Sequence, residues 1–301
     1  TMYFPKKCSL FIGNCIKYSS NQQIFCNFAR KMRNYVRTYN RLLDLSSPLV
    51  MAIINITPDS FYTSCNTLSE NEILTKVDQI IAEGADILDI GACSTRPNST
   101  PVGAEEEWKR LSMALQTIRH HWPDIPISVD TFRADIAEQA IAMGANIIND
   151  VYGGEADRHL WDVIARHQTP YVLTHACEIP NDAHTLSKLI GVLQQKLDAL
   201  HQMGVTDVIV DPGFGFNKSE QQNYNILQQL NVLQCLGAPI LVGISRKSML
   251  YKPLNSTPQQ VLPATIAAQT LALERGANIL RVHDVAAAKQ AIHIYQLTHN
   301  S

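Results

Sequence analysis

From Leu49 onward the chain repeats one pattern eight times, a short apolar run followed by a longer amphipathic one. The apolar runs cover residues 50–54, 87–90, 127–129, 146–149, 171–174, 208–210, 240–244 and 279–282. Short runs of this kind read as strands buried on both faces. The segments between them are helix-like, and several end in a glycine just before the next run: Gly84, Gly144, Gly204, Gly237 and Gly276. Glycine tolerates the left-handed conformation that closes a helix. Helix starts are marked too. Ser69 and Glu72 have capping-box spacing, and the acids at 105–107 sit where a helix dipole favours negative charge. Eight strand–helix units select a parallel sheet closed into a (β/α)8 TIM barrel over an open doubly wound sheet, the usual barrel needing roughly 250 residues.

The stretch before this repeat differs from it. Before Asp44 there are eight basic residues (Lys6, Lys7, Lys17, Arg30, Lys31, Arg33, Arg37, Arg41) and no acid. Acid-poor basic leaders occur as organelle signals, but an apolar core followed by a small-residue cleavage site is lacking. The other reading makes residues 1–31 an irregular basic extension, with Met32 near the start of one folded domain over 32–301. Residues 35–45 read as a hairpin capping the barrel's N-terminal mouth, and no low-complexity linker marks a second domain.

Twenty-five basic against 27 acidic side chains give no general surface for nucleic acid or anionic membrane, so a small molecule is the expected ligand. The seven cysteines are an odd number with no CxxC pair, which indicates neither a disulfide framework nor a zinc site and fits a reducing, cytoplasmic compartment. No apolar run approaches the roughly 18 residues that span a bilayer.

In a barrel of this type the chemistry sits where the strands end, so the residues after each apolar run are the test. In order they are Asn55; Asp89 with Ser94, Thr95 and Arg96; Asp130; Asn149 and Asp150; His175; Asp211; Ser245, Arg246 and Lys247; and Arg281 with His283. Every strand delivers a polar group to one mouth. Arg96, Arg281, His283, Asn55 and Thr95 suit a phosphate or pyrophosphate, which guanidinium binds through paired, charge-assisted hydrogen bonds. A buried carboxylate such as Asp211 or Asp130 can accept two parallel N–H bonds from the amidine-like edge of a 2-amino-4-oxo-pterin, while Lys247 donates to ring oxygen and nitrogen. Buried charges need such partners to offset their desolvation. Structural readings stand beside these. Asp89 and Asp150 read as scaffold acids bonding to loop backbone, residues 105–107 as a solvated helix face, and Cys93 as a small packing residue. Asp211 with Lys247 could be a salt bridge at the mouth, and His175 divides evenly between structure and function.

Seven motifs then carry a resemblance. They are Met-Ala-Ile-Ile-Asn-Ile-Thr-Pro-Asp-Ser-Phe (51–61), Asp-Ile-Gly-Ala-Cys-Ser-Thr-Arg-Pro (89–97), Ile-Ser-Val-Asp-Thr (127–131), Ile-Ile-Asn-Asp (147–150), Asp-Pro-Gly-Phe-Gly-Phe (211–216), Val-Gly-Ile-Ser-Arg-Lys-Ser (242–248) and Arg-Val-His-Asp-Val (281–285). In this order, each at a strand end, they resemble the dihydropteroate synthases from about Leu45 to the last helix. The resemblance implies a TIM barrel that condenses 6-hydroxymethyl-7,8-dihydropterin pyrophosphate with 4-aminobenzoate in folate biosynthesis, with magnesium as cofactor. It implies that Asp130, Asn149, Asp211, Gly243, Lys247 and Arg281 hold the pterin, and that Asn55, Thr95, Arg96 and His283 hold the pyrophosphate. Asn55 would also ligate the magnesium. Phe61, Pro97 and Ser248 would line the 4-aminobenzoate site, which is also where sulfonamides bind in this family. The catalytic set would be Lys247, Arg281, His283 and Arg96, and a homodimer is common in the family.

The sequence departs from the family pattern mainly in loops. Tyr-Thr-Ser-Cys-Asn (62–66) replaces Asp-Gly-Gly, Asn98 and Asn217 stand where glycine is common, and Thr174-His175-Ala176 replaces Met-His-Met. Leu-Pro-Ala-Thr (262–265) replaces a glycine-containing turn. These changes spare the pterin and pyrophosphate positions and bear on loop closure, arylamine-site shape and sulfonamide response. Three other functions compete: a degenerate pterin-binding paralogue with little turnover, a pterin-dependent methyltransferase domain on the same barrel, and a Schiff-base aldolase in which Arg246 lowers the pKa of Lys247.

Overall fold

The computed structural model describes residues 34–38, 41–56, 69–93, 102–180, 182 and 185–299; the basic extension over 1–31 lies outside them. The chain enters through a hairpin, β1 (Tyr35–Arg37) and β2 (Leu42–Asp44), paired antiparallel with Tyr35 opposite Asp44. Eight parallel strands follow: β3 (Leu49–Asn55), β4 (Ile87–Gly91), β5 (Ile127–Asp130), β6 (Ile147–Asp150), β7 (Tyr171–Thr174), β8 (Val208–Asp211), β9 (Leu241–Val242) and β10 (Ile279–Val282). Each pairs with its sequence neighbour from β3 to β8, and β10 pairs with both β3 and β9. A bridge between Val210 and Ile240 joins β8 to β9, so the ring closes.

Helices alternate with the strands: α1 (Glu70–Ala82), α2 (Ala104–His121), α3 (Ala134–Ala142), α4 (Leu160–His167), α5 (Thr185–Gln202), α6 (Glu220–Gln228), the four-residue α7 (Ser248–Tyr251), α8 (Leu262–Glu274) and α9 (Val285–His299). Their ends follow the local chemistry. Ser69 Oγ accepts the Glu72 amide while the Glu72 carboxylate accepts the Ser69 amide at 2.8 Å, the reciprocal cap expected of that spacing. All five glycines that precede strands lie at positive φ, between 79° and 97°.

Two cores result. The larger lies between the strands and the helices. The smaller fills the N-terminal half of the lumen, where Met51, Ile87, Ile147, Val172, Ile209, Leu241 and Ile279 point inward from seven strands and meet Val36, Leu43 and Leu45. Burying a side chain of this size contributes on the order of 1.5–3 kcal/mol. The hairpin is therefore a plug whose apolar face completes the lowest layer of the barrel.

One strand is shorter than its apolar run. Residues 240–244 yield only Leu241–Val242 as strand, because the chain leaves the sheet at Gly243 and turns through Arg246 at φ +56°. The Arg246 guanidinium donates from Nε to Asp284 at 2.9 Å and again through Nη2, which anchors the turn. Among the described residues no helix is long and apolar enough to cross a membrane.

Candidate active site

Strand side chains alternate in direction, so the residues two positions beyond the apolar floor also face the lumen. They are Ile53, Asp89, Asn149, Thr174, Asp211, Gly243 and Arg281, joined by Ser128 of β5 in register with Asp89. Asn55, Gly91 and Asp130 end their strands one step nearer the mouth. Folding thus brings together, on one polar layer, side chains up to 192 residues apart.

Asp89 organises the layer. It is wholly buried, and it accepts hydrogen bonds from Ser128 Oγ at 2.6 Å, Asn149 Nδ2 at 3.1 Å and Arg281 Nε at 2.6 Å. It is a scaffold acid, as its position suggests, but it acts through side chains and not through loop backbone. Arg281 also donates from Nη2 to Asp130 at 2.6 Å. Burial pushes the Asp130 carboxyl up to about 7, with Arg281 opposing the rise. Burial also works against the Arg281 charge, but Asp89 and Asp130 outweigh it and hold the guanidinium above its ordinary value.

Asp211 lies across the lumen. Its Oδ1 accepts the Gly213 amide at 2.7 Å, and burial raises its pKa while Lys247 works to lower it. The loop beyond needs Gly213 at φ +70°, since a Cβ there would lie 2.0 Å from the His175 carbonyl oxygen. Lys247 is not ion-paired with Asp211. Its Nζ donates to the Phe214 carbonyl and stands 4.5 Å from the centre of the Phe216 ring. Burial pushes the amine down to about 8, with Asp211 opposing. Arg246, engaged by Asp284, has no part in that shift.

A Cβ built at Gly243 would meet Asp211 Oδ2 at 3.7 Å and Arg281 Cβ at 3.9 Å, ordinary contact distances. The position is a gap in the inward layer, bounded by an acid and a base. At the rim, His283 Nδ1 lies 3.0 Å from the buried Ser245 hydroxyl, and Ser248 follows Lys247 at the start of α7. Asn55 closes β3. Phe61, Thr95, Arg96 and Pro97 lie outside the described residues.

Asp150 accepts from the Tyr152 and Gly154 amides at 2.8 and 2.6 Å and so serves loop backbone, as expected of it. Other expectations are settled or revised. His175 falls on the opposite face from Thr174, and it interacts with Lys218 and with Lys196 of α5. Burial, followed by the Lys218 charge, depresses it to about 4, which leaves a neutral ring away from the lumen. Glu107 is not on a solvated face. It is completely buried, accepting from Thr131 Oγ1 at 2.9 Å and Arg133 Nη1 at 2.7 Å. Burial raises its pKa. Ser128 was not a candidate from sequence, although a hydroxyl inside an apolar run at an inward position is a readable signal. Asn217 stands at φ +45°, the conformation that favours glycine at this turn, and its amide bonds the Ala176 carbonyl at 2.8 Å.

Residues 51–283 match the family described as "Pterin binding enzyme". The dihydropteroate synthase of Haemophilus influenzae is 35% identical, over 87% of this chain and 98% of its own. That of Synechocystis sp. is 39% identical, over 80% of this chain and 86% of its own. The structure of Xanthomonas albilineans dihydropteroate synthase with 4-aminobenzoic acid superposes with a TM-score of 0.84 at 35% identity, covering 89% of this chain and 99% of that one. The same enzyme in complex with 7,8-dihydropteroate gives a TM-score of 0.81 at 33% identity, with the same coverage.

Proposed function

The chain belongs to the pterin-binding enzymes, among the dihydropteroate synthases, and on that premise we propose that its lumen joins 6-hydroxymethyl-7,8-dihydropterin pyrophosphate to 4-aminobenzoate. The observation that carries the residue assignment is the gap at Gly243, framed by Asp211 and Arg281. A flat ring seated there meets the Asp211 carboxylate, which can accept paired N–H donors, the Lys247 amine, which can donate, and the Asn149 amide. Arg281, level with Gly243 on the same layer, is tied to Asp89 and to Asp130.

The chemistry asks little of a base, because an aromatic amine is already neutral near pH 7. The residues therefore act by orientation and by stabilising charge on the departing group. When ionised, Asp89, Asp130 and Asp211 against Arg281 and Lys247 make three negative charges against two positive, leaving one negative charge on the layer. A pyrophosphate needs cations nearer the rim. His283, Arg96 and Thr95 are the proposed protein contributors.

Magnesium fits this arrangement as a rim ligand. Among the described residues no cluster of three or more His, Cys, Asp or Glu could hold a metal alone. Magnesium bound to phosphate oxygens and water needs only one or two protein oxygens, and the Asn55 carbonyl at the end of β3 supplies one. When bound it would neutralise charge on the leaving pyrophosphate. Phe61, Pro97 and Ser248 are proposed to bound the arylamine, and a cytoplasmic homodimer is the proposed form of the protein.

A coupled assay tests the reading. Purified protein with the pterin pyrophosphate, 4-aminobenzoate and magnesium should form 7,8-dihydropteroate and release pyrophosphate, and chelation should stop both. Tight binding of the pterin pyrophosphate with no product would leave only the binding half standing. Analytical ultracentrifugation reads the assembly state.

A further inference from the structure

We propose that Thr174 is an additional pterin-contacting residue, whose hydroxyl hydrogen-bonds the nitrogen edge of the ring between Asn149 and Asp211. The inference rests on the pterin reading above and deepens it, because it moves the substitution at 174 from the changes that spare the pterin positions into the ring site.

The direction of the side chain follows from its strand. Tyr171 points outward, where its hydroxyl meets Trp161 Nε1 at 3.1 Å, and Val172 points inward into the plugged floor. Leu173 joins the outer core, so Thr174 faces the lumen. Across the sheet Val172 is level with Asn149 of β6, and Thr174 is level with Asp211 of β8. The hydroxyl thus belongs to the inward row that holds both proposed ring contacts.

Thr174 is 1% exposed, and its Oγ1 is buried with no hydrogen-bond partner among the described residues. A buried hydroxyl without a partner is costly, whereas valine would fill the same volume without that cost. The neighbours leave a complementary role open. Asp211, once ionised, can only accept, and Asn149 has one of its two amide N–H bonds committed to Asp89. A hydroxyl beside them can donate to a ring nitrogen that has no hydrogen, the group that Asp211 cannot serve.

The test uses Thr174→Val and Thr174→Ser in the full chain. Calorimetry with the pterin pyrophosphate and magnesium should show Thr174→Val binding about three- to tenfold more weakly, the usual worth of one hydrogen bond, with Thr174→Ser close to wild type. The KM for the pterin should rise while that for 4-aminobenzoate stays unchanged. Without ligand, Thr174→Val should melt no lower than wild type, because the hydroxyl has no protein partner to lose. Unchanged affinity in Thr174→Val overturns the inference. So does a lower melting temperature in that variant, which would mean that the hydroxyl serves the fold or an internal water. Failure of the wild-type protein to take up the pterin defeats the underlying functional reading instead, and is told apart because it precedes any substitution.

Discussion

Arg281 links two carboxylates on different strands with one guanidinium, donating from Nε to Asp89 and from Nη2 to Asp130, each at 2.6 Å. Asp89 has no solvent access, and its other bonds fix Ser128 and Asn149. Removing it strands a buried cation together with an amide and a hydroxyl. Asp89→Ala should therefore lose about 3–5 kcal/mol of stability, the cost of breaking a buried ion pair from one side. Urea unfolding reads it, and a loss below about 1 kcal/mol would mean that solvent or a rearranged acid replaces the carboxylate.

The raised pKa of Asp130 predicts a pH dependence with a definite sign. Its carboxyl titrates near 7 in the fold and near 4 in the unfolded chain, so between these values the native state holds the extra proton. The stability this contributes is complete below about pH 4 and is lost as pH rises through about 7. Asp130→Asn cannot titrate. Wild-type stability minus that of the variant should fall across this window and level off above it, as unfolding curves taken from pH 4 to 8 would show. A flat difference would place the Asp130 carboxyl at an ordinary pKa.

Lys247 is depressed to about 8 by burial, so the charged donor disappears as pH rises through that value. Pterin affinity should weaken above about pH 8. Lys247→Ala should weaken it at neutral pH by about 10- to 100-fold, the range for a hydrogen bond from a charged group. Asp211→Ala should do the same by removing the acceptor for the paired N–H donors. Calorimetric affinity near that of the wild type in either variant would remove the proposed ring site.

The hairpin should matter for stability and not for ligand affinity. Leu43 is 5% exposed and packs on the barrel floor, so Leu43→Ala should cost about 2–5 kcal/mol. The folded variant should bind the pterin pyrophosphate as wild type does. Reduced affinity with unchanged stability would show that the plug shapes the polar layer above it.

Most of the barrel is legible from local pattern. Glycines at helix ends and apolar runs of strand length are set by backbone sterics and burial, both of which act within a few residues. The short seventh barrel strand is less legible, because residues 240–244 are apolar throughout and only the turn at Gly243 and Arg246 stops the pairing. Proposed site residues are legible as types at strand ends, but their partners are not. Glu107 looks like its neighbours Glu105 and Glu106 until Arg133, 26 residues away, reaches it. Asp89 and Arg281 meet only because β4 and β10 both flank β3. Such pairings depend on which strands become neighbours, which no short window of sequence contains.

The plugged floor also governs traffic. With its lower end filled by the hairpin and the apolar layer, the barrel is closed at that end among the described residues, so whatever enters from the mouth must leave by it. On the proposed reading, a pterin against the polar layer is the deepest cargo, with the arylamine above it. Pyrophosphate, proposed nearer the rim, could then depart without disturbing the condensed product. If the arylamine sits above the pterin as proposed, a new pterin cannot load beneath it, and depth alone imposes an order on arrivals and departures.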